Sequence, residues 1–251
     1  MSPFPLGILA SARRAGASYF AEVMADSPIA YWRMDESSGS VLTDATGSHH
    51  GTISGAAPTY GAPSLLPSGE GTALGLPSGV RTISVPHAAA LNAVSGVGIT
   101  ISVWVKVDNP SSDALQVIIE KNALSGSSNG QWGVWYDNRS SQGSPRRIRF
   151  QMAGNGWVDW GGSVPEAAVA AGGFLTCAVG AAAPAMVYWN GIQVTTGSTL
   201  NAWSAGNTLP INIGRASAGF PLVGALDEIS LFSGALAPAR VLAHAQAAGV
   251  A

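Results

Sequence analysis

Short β-type runs recur along most of the chain, and this pattern constrains the fold more than any other feature. Runs rich in β-branched and aromatic residues alternate with clusters of Gly, Ser, Asn and Pro, which favour turns. Many strands at close spacing without helices between them indicate a sandwich or jelly roll rather than a parallel α/β sheet. The clearest predicted strands are Val80–Val85, Ile99–Val107, Leu115–Lys121, Gln131–Asp137, Arg147–Met152, Phe174–Val179 and Met186–Trp189.

The run Ile99–Val107 alternates most cleanly between apolar and other residues. Its odd-numbered positions are all Ile or Val and are predicted to face a core, because successive strand residues point to opposite faces. The other face, which includes Trp104 and Lys106, is expected to be at least partly exposed to water. Asn190-Gly191 predicts a tight hairpin, since both residues tolerate positive φ.

Helices are expected only at the two ends of this β region, over Ala17–Ala25 and from Pro238 to about Ala248. The segment Gly55–Gly79 is rich in Gly, Pro and Ser and is predicted to form long surface loops. Motifs at both ends, Asp26–Gly39 and Gly224–Pro238, are typical of strands that close one β domain. We therefore predict one domain, 18–251, preceded by an arm, 1–17.

The composition excludes several classes of protein. Charged residues are only 10% and hydrophobic residues 47% of the chain, which argues against disorder. The net charge of −2 gives no basic surface for nucleic acid, and no apolar stretch approaches a membrane span. Arg146, Arg147 and Arg149 are predicted to lie on a solvated strand face. The single cysteine, Cys177, excludes an intramolecular disulfide and is expected to be buried.

The N-terminus is apolar, but its charged and apolar residues come in a different order from those of a secretory signal. Arg13 and Arg14 follow the apolar run instead of preceding it, and two prolines interrupt the run. We expect an extended arm that docks on a neighbouring chain; a frayed terminus is the alternative. The apolar side chains predicted to dock are Phe4, Leu6, Ile8 and Leu9.

Several motifs, in this order, resemble those of laminin-G-like, concanavalin A-like jelly rolls. Tyr31–Gly39 with Asp44-Ala-Thr-Gly47 is similar to the opening of such domains, and Ile99–Lys106 to their central strand. Met186–Gly191, Ile211–Gly214 and Ala225–Phe232 are similar to later strands. The resemblance implies an all-β, concanavalin A-like jelly-roll sandwich with an extended N-terminal arm and short terminal helices. Lectins, adhesion modules, glycosidases and phage structural proteins share this fold, so function has to be argued from sites.

The resemblance also implies a metal site. Jelly rolls of this type often bind one structural calcium ion where the first and last strands meet, and Asp44 and Asp227 match the positions expected for its ligands. Calcium takes six to eight oxygen ligands. The alternative is that Asp44 organises an Asx-type turn and that Asp227 pairs with backbone or with an arginine.

Catalytic motifs are not found in the sequence. The Glu-x-Asp-x-x-Glu pattern of laminarinase-type members is absent, and Asp35-Glu36 and Asp227-Glu228 are adjacent pairs that point to opposite faces on a strand. A catalytic pair assembled from distant segments stays open. There is also no nucleophile elbow and no zinc-binding pattern. We therefore predict that the chain is not an enzyme.

Sugar binding is the activity that the aromatic residues favour. Eight tryptophans are many for this length, and indole faces stack well on sugar rings. The candidate glycan contacts are Trp157, Asp159 and Trp160, although two tryptophans three residues apart cannot share a face of a flat strand. Packing in the core or at a subunit interface is the alternative.

The arm also resembles the starts of bacteriophage tail or head appendage proteins. This resemblance implies a non-catalytic structural or adhesion component on the surface of a phage virion. Its expected partners are other capsid or tail proteins through the arm, host-surface glycans, and further copies of the chain, as a homo-oligomer such as a trimer. Nucleic acid and membrane insertion are not expected. The alternative is a secreted or surface lectin module or glycosidase of the same superfamily.

Overall fold

A computed structural model describes residues 18–79, 81–93, 96–121, 131–142, 147–154, 156–181, 183–199, 206–215 and 219–250. At 142, 147, 153–154, 156–163 and 195–199 the backbone alone is described. The described residues form three α-helices, α1 (Tyr19–Met24), α2 (Glu166–Ala171) and α3 (Pro238–Ala247). No helix in these ranges is both long and apolar enough to cross a membrane.

The described strands form two antiparallel sheets. In chain order they are β1 (Ala30–Trp32), β2 (Val41–Leu42), β3 (Gly51–Gly55), β4 (Thr59–Ala62), β5 (Ala73–Leu76), β6 (Arg81–Val85), β7 (Gly98–Val107), β8 (Leu115–Lys121), β9 (Trp132–Asp137), β10 (Arg147–Gly154), β11 (Gly156–Ser163), β12 (Gly173–Gly180), β13 (Pro184–Trp189), β14 (Ile192–Thr199), β15 (Ile211–Ile213) and β16 (Gly224–Ser233). Sheet A has the order β14-β13-β12-β7-β16-β5-β4, with β1 paired to β16, and sheet B the order β11-β10-β9-β8-β15-β6-β3-β2.

The two sheets form a sandwich, which confirms the predicted fold class. The odd-numbered residues of β7, Ile99 to Val107, lie in the apolar core together with residues of sheet B such as Val134 and Phe150. All seven predicted strands exist, and β8 has the predicted bounds. The core is therefore built from the alternating runs that the sequence displays.

Most of the other face of sheet A is buried, so the expected exposure to water holds for Lys106, whose side chain is 40% exposed, and is wrong for Trp104. Helices α1 and α3 lie over this face, so Trp104 is only 2% exposed and packs with Tyr19 and Phe174. Glu22 and Asp26 of the α1 region bind Arg240 of α3 at 2.7 and 2.9 Å. A helical layer therefore covers sheet A on the side opposite the core.

Two further predictions need correction. The segment Gly55–Gly79 contains strands β4 and β5, and Gly75 of β5 leaves room for Thr59, whose Cβ would lie 2.9 Å from a Cβ at Gly75. Helix α2 was not expected from the sequence either. Both errors have one cause: contacts with residues distant in the chain decide these short elements, and local composition does not reveal them.

The predicted hairpin and the predicted buried thiol are confirmed. Asn190 and Gly191 have φ of 52° and 78°, as a type I′ turn requires, and connect β13 to β14. Cys177 of β12 is fully buried, and burial raises the pKa of its thiol. The motifs at the two chain ends also meet, because β1 pairs antiparallel with β16, Trp32 opposite Ile229.

Candidate functional site

The predicted glycan contacts lie on β11, at the edge of sheet B. Trp157 pairs with Ala153 and Asp159 with Gln151, whereas Trp160 pairs with Phe150, a fully buried core residue. Trp160 therefore occupies a core-side position of the strand. Trp157 and Asp159 occupy positions on the opposite face, which confirms that the two tryptophans do not share a face; their side chains lie outside the described residues.

That opposite face continues across β10, β9 and β8, and points away from sheet A. Gln151 pairs with Gly133, and Gly133 with Glu120; in the next row Arg149 pairs with Trp135. We call it the outer face of sheet B and define it by Glu120, Gly133, Trp135, Asp137, Arg149 and Gln151.

Gly133 allows the indole of Trp135 to lie along the sheet. A Cβ at Gly133 would lie 2.7 Å from Cζ2 of that indole, so any larger residue would displace it. In this position Nε1 of Trp135 donates a hydrogen bond of 3.2 Å to Oε2 of Glu120. The glycine two positions before the tryptophan thus determines where the ring lies.

Glu120 is a buried carboxyl group without an ion-pair partner among the described residues. It is fully buried, and its Oε1 accepts no hydrogen bond from the described residues. Burial raises the pKa of Glu120 to about 8, although Trp135 and Asn212 act in the opposite direction. At neutral pH this group is therefore mostly protonated and able to donate a hydrogen bond.

Asp137 carries the negative charge of the outer face. Its Oδ2 accepts from Nη1 of Arg149 at 2.6 Å and from Nη2 of Arg139 at 3.0 Å. Burial alone would raise the pKa of Asp137, but the hydrogen bonds from the two arginines outweigh it and lower the pKa below its usual value. Arg149 is only 7% exposed, so the prediction of a solvated strand face is wrong for this residue.

Most of the outer face is rigid and buried, and Gln151 is its partly exposed member. Trp135 is 1% exposed, with the guanidinium carbon of Arg149 6.0 Å from its ring centroid. Gln151 is of intermediate exposure and is paired with Asp159. A ligand that approaches this face would meet the Gln151–Asp159 row first, beside charged groups already fixed by their own partners.

Glu120 and Asp137 are too far apart to act together as a glycosidase pair. Glu120 pairs with Gly133, and Asp137 lies four residues further along β9. At about 3.3 Å per strand residue, this separation is roughly 13 Å, beyond the about 5–9.5 Å of retaining and inverting pairs. Asp137 is also occupied by two arginines.

Asp44, the first predicted calcium ligand, organises a turn. Its Oδ1 accepts from the backbone nitrogens of Tyr31 and Thr46 at 2.8 and 2.9 Å. Its Oδ2 accepts from Thr46 Oγ1 at 2.6 Å and from the nitrogens of Ser48 and His49 at 3.1 and 2.8 Å. The carboxylate thus has five hydrogen-bond donors around it, as the Asx-turn alternative predicts.

Asp227, the second predicted ligand, lies in a different network beneath the helical layer. Its Oδ2 accepts from the backbone nitrogen of Leu65 at 3.0 Å and from Ser64 Oγ at 3.2 Å. Burial raises the pKa of Asp227 to about 8, and the neighbouring Glu228 adds to this effect. Glu228 in turn binds Arg33 at 2.9 Å and accepts from the hydroxyl of Tyr31.

The two aspartates do not fit a shared calcium site in this arrangement. The lone pairs of Asp44 already accept hydrogen bonds from N–H and O–H donors, and Asp227 has its own donors. The described residues contain no group of three or more His, Cys, Asp or Glu side chains that could hold a metal. Calcium binding stays a prediction; in the described structure both carboxylates accept hydrogen bonds from backbone N–H groups.

Known proteins support the fold assignment. The Laminin_G_3 family model, described as the concanavalin A-like lectin/glucanases superfamily, matches residues 78–242. The chain belongs to this superfamily. A search of curated protein sequences gives no significant match.

Solved structures with the same fold come from binding and hydrolytic proteins. One is domain 4 of an extracellular arabinanase from Geobacillus stearothermophilus in complex with arabinotriose, with 21% identity, a TM-score of 0.61 and coverage of 87% of this chain and 98% of that domain. Another is the binding domain of botulinum neurotoxin DC in complex with rat synaptotagmin II, with 16% identity, a TM-score of 0.65 and coverage of 89% and 52%.

A third is Trypanosoma rangeli sialidase in complex with the inhibitor DANA, with 15% identity, a TM-score of 0.59 and coverage of 87% and 32%. The superfamily member described here therefore spans nearly all of the arabinanase domain, about half of the neurotoxin domain and a third of the sialidase. At these identities the likeness shows the fold alone.

Only part of the outer face could be predicted from the sequence. Asp159 and Trp157 stay predicted glycan contacts, whereas Glu120, Asp137 and Arg149 were not predicted because their partners lie 12 to 15 residues away along the chain. The signal for Trp135 was present in Trp132-Gly-Val-Trp135, where a glycine interrupts a strand. Phe4, Leu6, Ile8 and Leu9 of the arm lie outside the described residues.

Proposed function

We propose that this chain is a non-catalytic glycan-binding domain whose ligand lies on the outer face of sheet B, beside Gln151 and Asp159. The observation that carries the proposal is the row of fixed charged and aromatic residues on the sheet face that points away from sheet A. Sugar hydroxyls need donors and acceptors in fixed directions, and the ion pair of Arg149 with Asp137 at 2.6 Å supplies such rigidity.

The outer face offers hydrogen-bonding groups for neutral sugar hydroxyls. The amide of Gln151, which is partly exposed, both donates and accepts hydrogen bonds, whereas Glu120 and Asp137 are buried and help to fix the face behind it. Because the two carboxyl groups are too distant to act as a catalytic pair, the geometry supports binding rather than hydrolysis. Weak single sites of this kind gain avidity when several copies are displayed together.

Alanine at Gln151 or at Asp159 should weaken glycan binding about tenfold, the effect of losing about 1.4 kcal/mol of contacts. A glycan array with the full chain identifies the oligosaccharide, and calorimetric titration of each variant measures the affinity. Gln246→Ala is the matched control, because Gln246 is exposed on α3, on the helical side of the molecule. Unchanged affinity in both variants, or turnover of a polysaccharide by the wild type, would contradict the proposal.

At a finer level, we propose that the domain is a structural or adhesion component of a bacteriophage particle, in the tail or the head. The apolar arm at 1–14 would dock it to other virion proteins, and its copies would form a homo-oligomer such as a trimer. The support for this role is the sequence of the arm. The alternative is a secreted or surface lectin module or glycosidase of the same superfamily.

Deletion of residues 1–14 should abolish incorporation into particles while leaving glycan affinity unchanged. Incorporation is measured by immunolabelling of purified particles, and folding of the truncated protein by its thermal transition. Normal incorporation of the truncated protein would show that the arm is not the docking element.

A further inference from the structure

Arg81 is a buried cation without a counter-ion in the described part of the chain. It is the first residue of β6, on the same face as Ile83 and Val85 of the core, and is only 5% exposed. Its Nε donates to the carbonyl oxygen of Ala56 at 3.2 Å, while its Nη2 is buried and has no hydrogen-bond partner among the described residues. Burial lowers the pKa of Arg81, and no neighbouring charge opposes this effect.

This arrangement differs from that of other buried or half-buried arginines in the chain. Arg33 pairs with Glu228, Arg149 with Asp137, and Arg240 with Asp26, at distances of 2.9, 2.6 and 2.9 Å. An ionised guanidinium out of water is costly unless it is paired and hydrogen-bonded. Arg81 therefore has unused capacity to bind an anion.

A second arginine lies at the same end of the sandwich. Ile213 of β15 pairs with Ile83, and Arg215 follows two residues beyond Ile213, as Arg81 precedes Ile83 by two. Arg215 is of intermediate exposure and forms no ion pair with the described residues. Arg81 at the start of β6 and Arg215 two residues after the end of β15 thus lie at the same end of neighbouring strands, and neither has a carboxylate partner among the described residues.

The backbone beside Arg81 is built from small residues. Gly79 has a φ of 148°, and a Cβ at this position would lie 3.8 Å from Nη2 of Arg81 and 3.2 Å from the Cβ of Ala56. A side chain at position 79 would require a strained backbone and would crowd Ala56 in the turn between β3 and β4. Glycine keeps bulk away from the guanidinium on this side.

We propose that Arg81, with Arg215, forms an anion-binding site at this end of the sandwich, which takes a compact oxyanion group such as a carboxylate or a sulfate. Guanidinium groups bind such groups through parallel N–H donors. Because Arg81 lies on the core side of its strand, this site is separate from the outer face, and the proposal does not depend on the proposed glycan site.

The test measures the melting temperature of the full chain in sulfate, glucuronate or glucose at constant ionic strength. We expect a saturable rise with sulfate and with glucuronate, and none with glucose, because a ligand that binds only the folded state stabilises it. Arg81→Gln should abolish the rise and should melt no lower than wild type without anion, since it removes an unpaired charge. A rise with only one anion identifies the oxyanion class that the site takes.

Arg240→Gln is the matched control: it removes an arginine that has carboxylate partners and should keep the anion-dependent rise. If Arg81→Gln does not fold, the NMR signal of the Arg81 Nε–H group in wild type should shift on addition of sulfate or glucuronate. The proposal is overturned if neither anion raises the melting temperature, or if Arg81→Gln retains the full rise.

Discussion

Replacing Asp44 by alanine is expected to lower the free energy of unfolding by about 3–5 kcal/mol, because the buried N–H group of Tyr31 and four further donors lose their acceptor. Asp44 is only 2% exposed, so water cannot replace the carboxylate at Tyr31. Asparagine should cost less, about 2 kcal/mol, since its carbonyl oxygen can replace one of the two acceptor oxygens. Urea denaturation at neutral pH measures both values.

The pH dependence of the Asp44 effect has a definite sign. Burial would raise the pKa of Asp44, but hydrogen bonds from Thr46, Tyr31 and His49 outweigh it and lower the pKa. A depressed carboxyl pKa stabilises the fold above the unfolded pKa, and this stabilisation is lost as the pH falls through the folded value. The difference between wild type and Asp44→Ala should therefore shrink below about pH 4.

Asp108→Ala is the control, because Asp108 is an exposed carboxylate that contacts Lys106 at the surface. A chelator should leave the stability of wild type unchanged if the turn, and not a calcium ion, is what Asp44 supports. Loss of less than about 1 kcal/mol in Asp44→Ala would contradict the account of the turn. A chelator effect as large as the substitution would restore the calcium prediction.

Replacing Glu120 by glutamine is expected to stabilise the protein by about 2–4 kcal/mol at pH 9 and to have little effect at pH 5. Burial raises the pKa of Glu120 to about 8, so the folded state holds this proton more tightly than the unfolded state does. Stability must then fall as the pH rises from the unfolded pKa to about 8. Glutamine removes the titration and keeps an acceptor for Nε1 of Trp135.

Denaturant unfolding of both proteins at the two pH values measures this effect. Asp227, whose pKa is also raised to about 8 by burial, contributes a similar slope in both proteins and cancels in the comparison. Asp108→Asn is the matched control for loss of a carboxylate charge at the surface. The same difference between wild type and Glu120→Gln at both pH values would show that Glu120 does not titrate in this range.

The sandwich could be predicted because its central strand, β7, alternates strictly. In β7 every second residue from Ile99 is a β-branched aliphatic residue, and only a strand buries such a set on one side. The covering of its other face by α1 and α3 was not predictable from β7, whose polar Thr100 and Ser102 suggest water. Water is excluded from most of this face only because α1 and α3, which come from opposite ends of the domain, pack on it.

The residues that share the outer face could not be predicted from the sequence, because a β-bulge in β8 decides which side chains lie on it. In β8, Val117 pairs with Trp135, Ile119 pairs with Val134, and Ile118 is the extra residue. This bulge places Glu120 on the same face as Trp135; without it, regular alternation would put Glu120 on the core side. That Trp157 and Asp159 share a face could be predicted by simple alternation, because β11 has a regular register with β10.

The pairing of the two end motifs could be predicted from the sequence, but the hydrogen bonds made by their aspartates could not. The end motifs do pair, through β1 and β16, as their sequences suggested. The roles of Asp44 and Asp227 depend instead on which backbone N–H groups are left unpaired at the turns, and this is fixed only when the chain is folded. Local sequence identifies such carboxylates as important but does not distinguish a metal ligand from a turn acceptor.

The most direct test of glycan binding by the outer face is NMR titration of the full chain with the best oligosaccharide from the array. The signals expected to shift are the side-chain amide of Gln151, the backbone amides of β10 and β11, and the indole N–H of Trp135. Shifts confined to the helical layer of α1 and α3, or binding by no oligosaccharide, would contradict the proposed function.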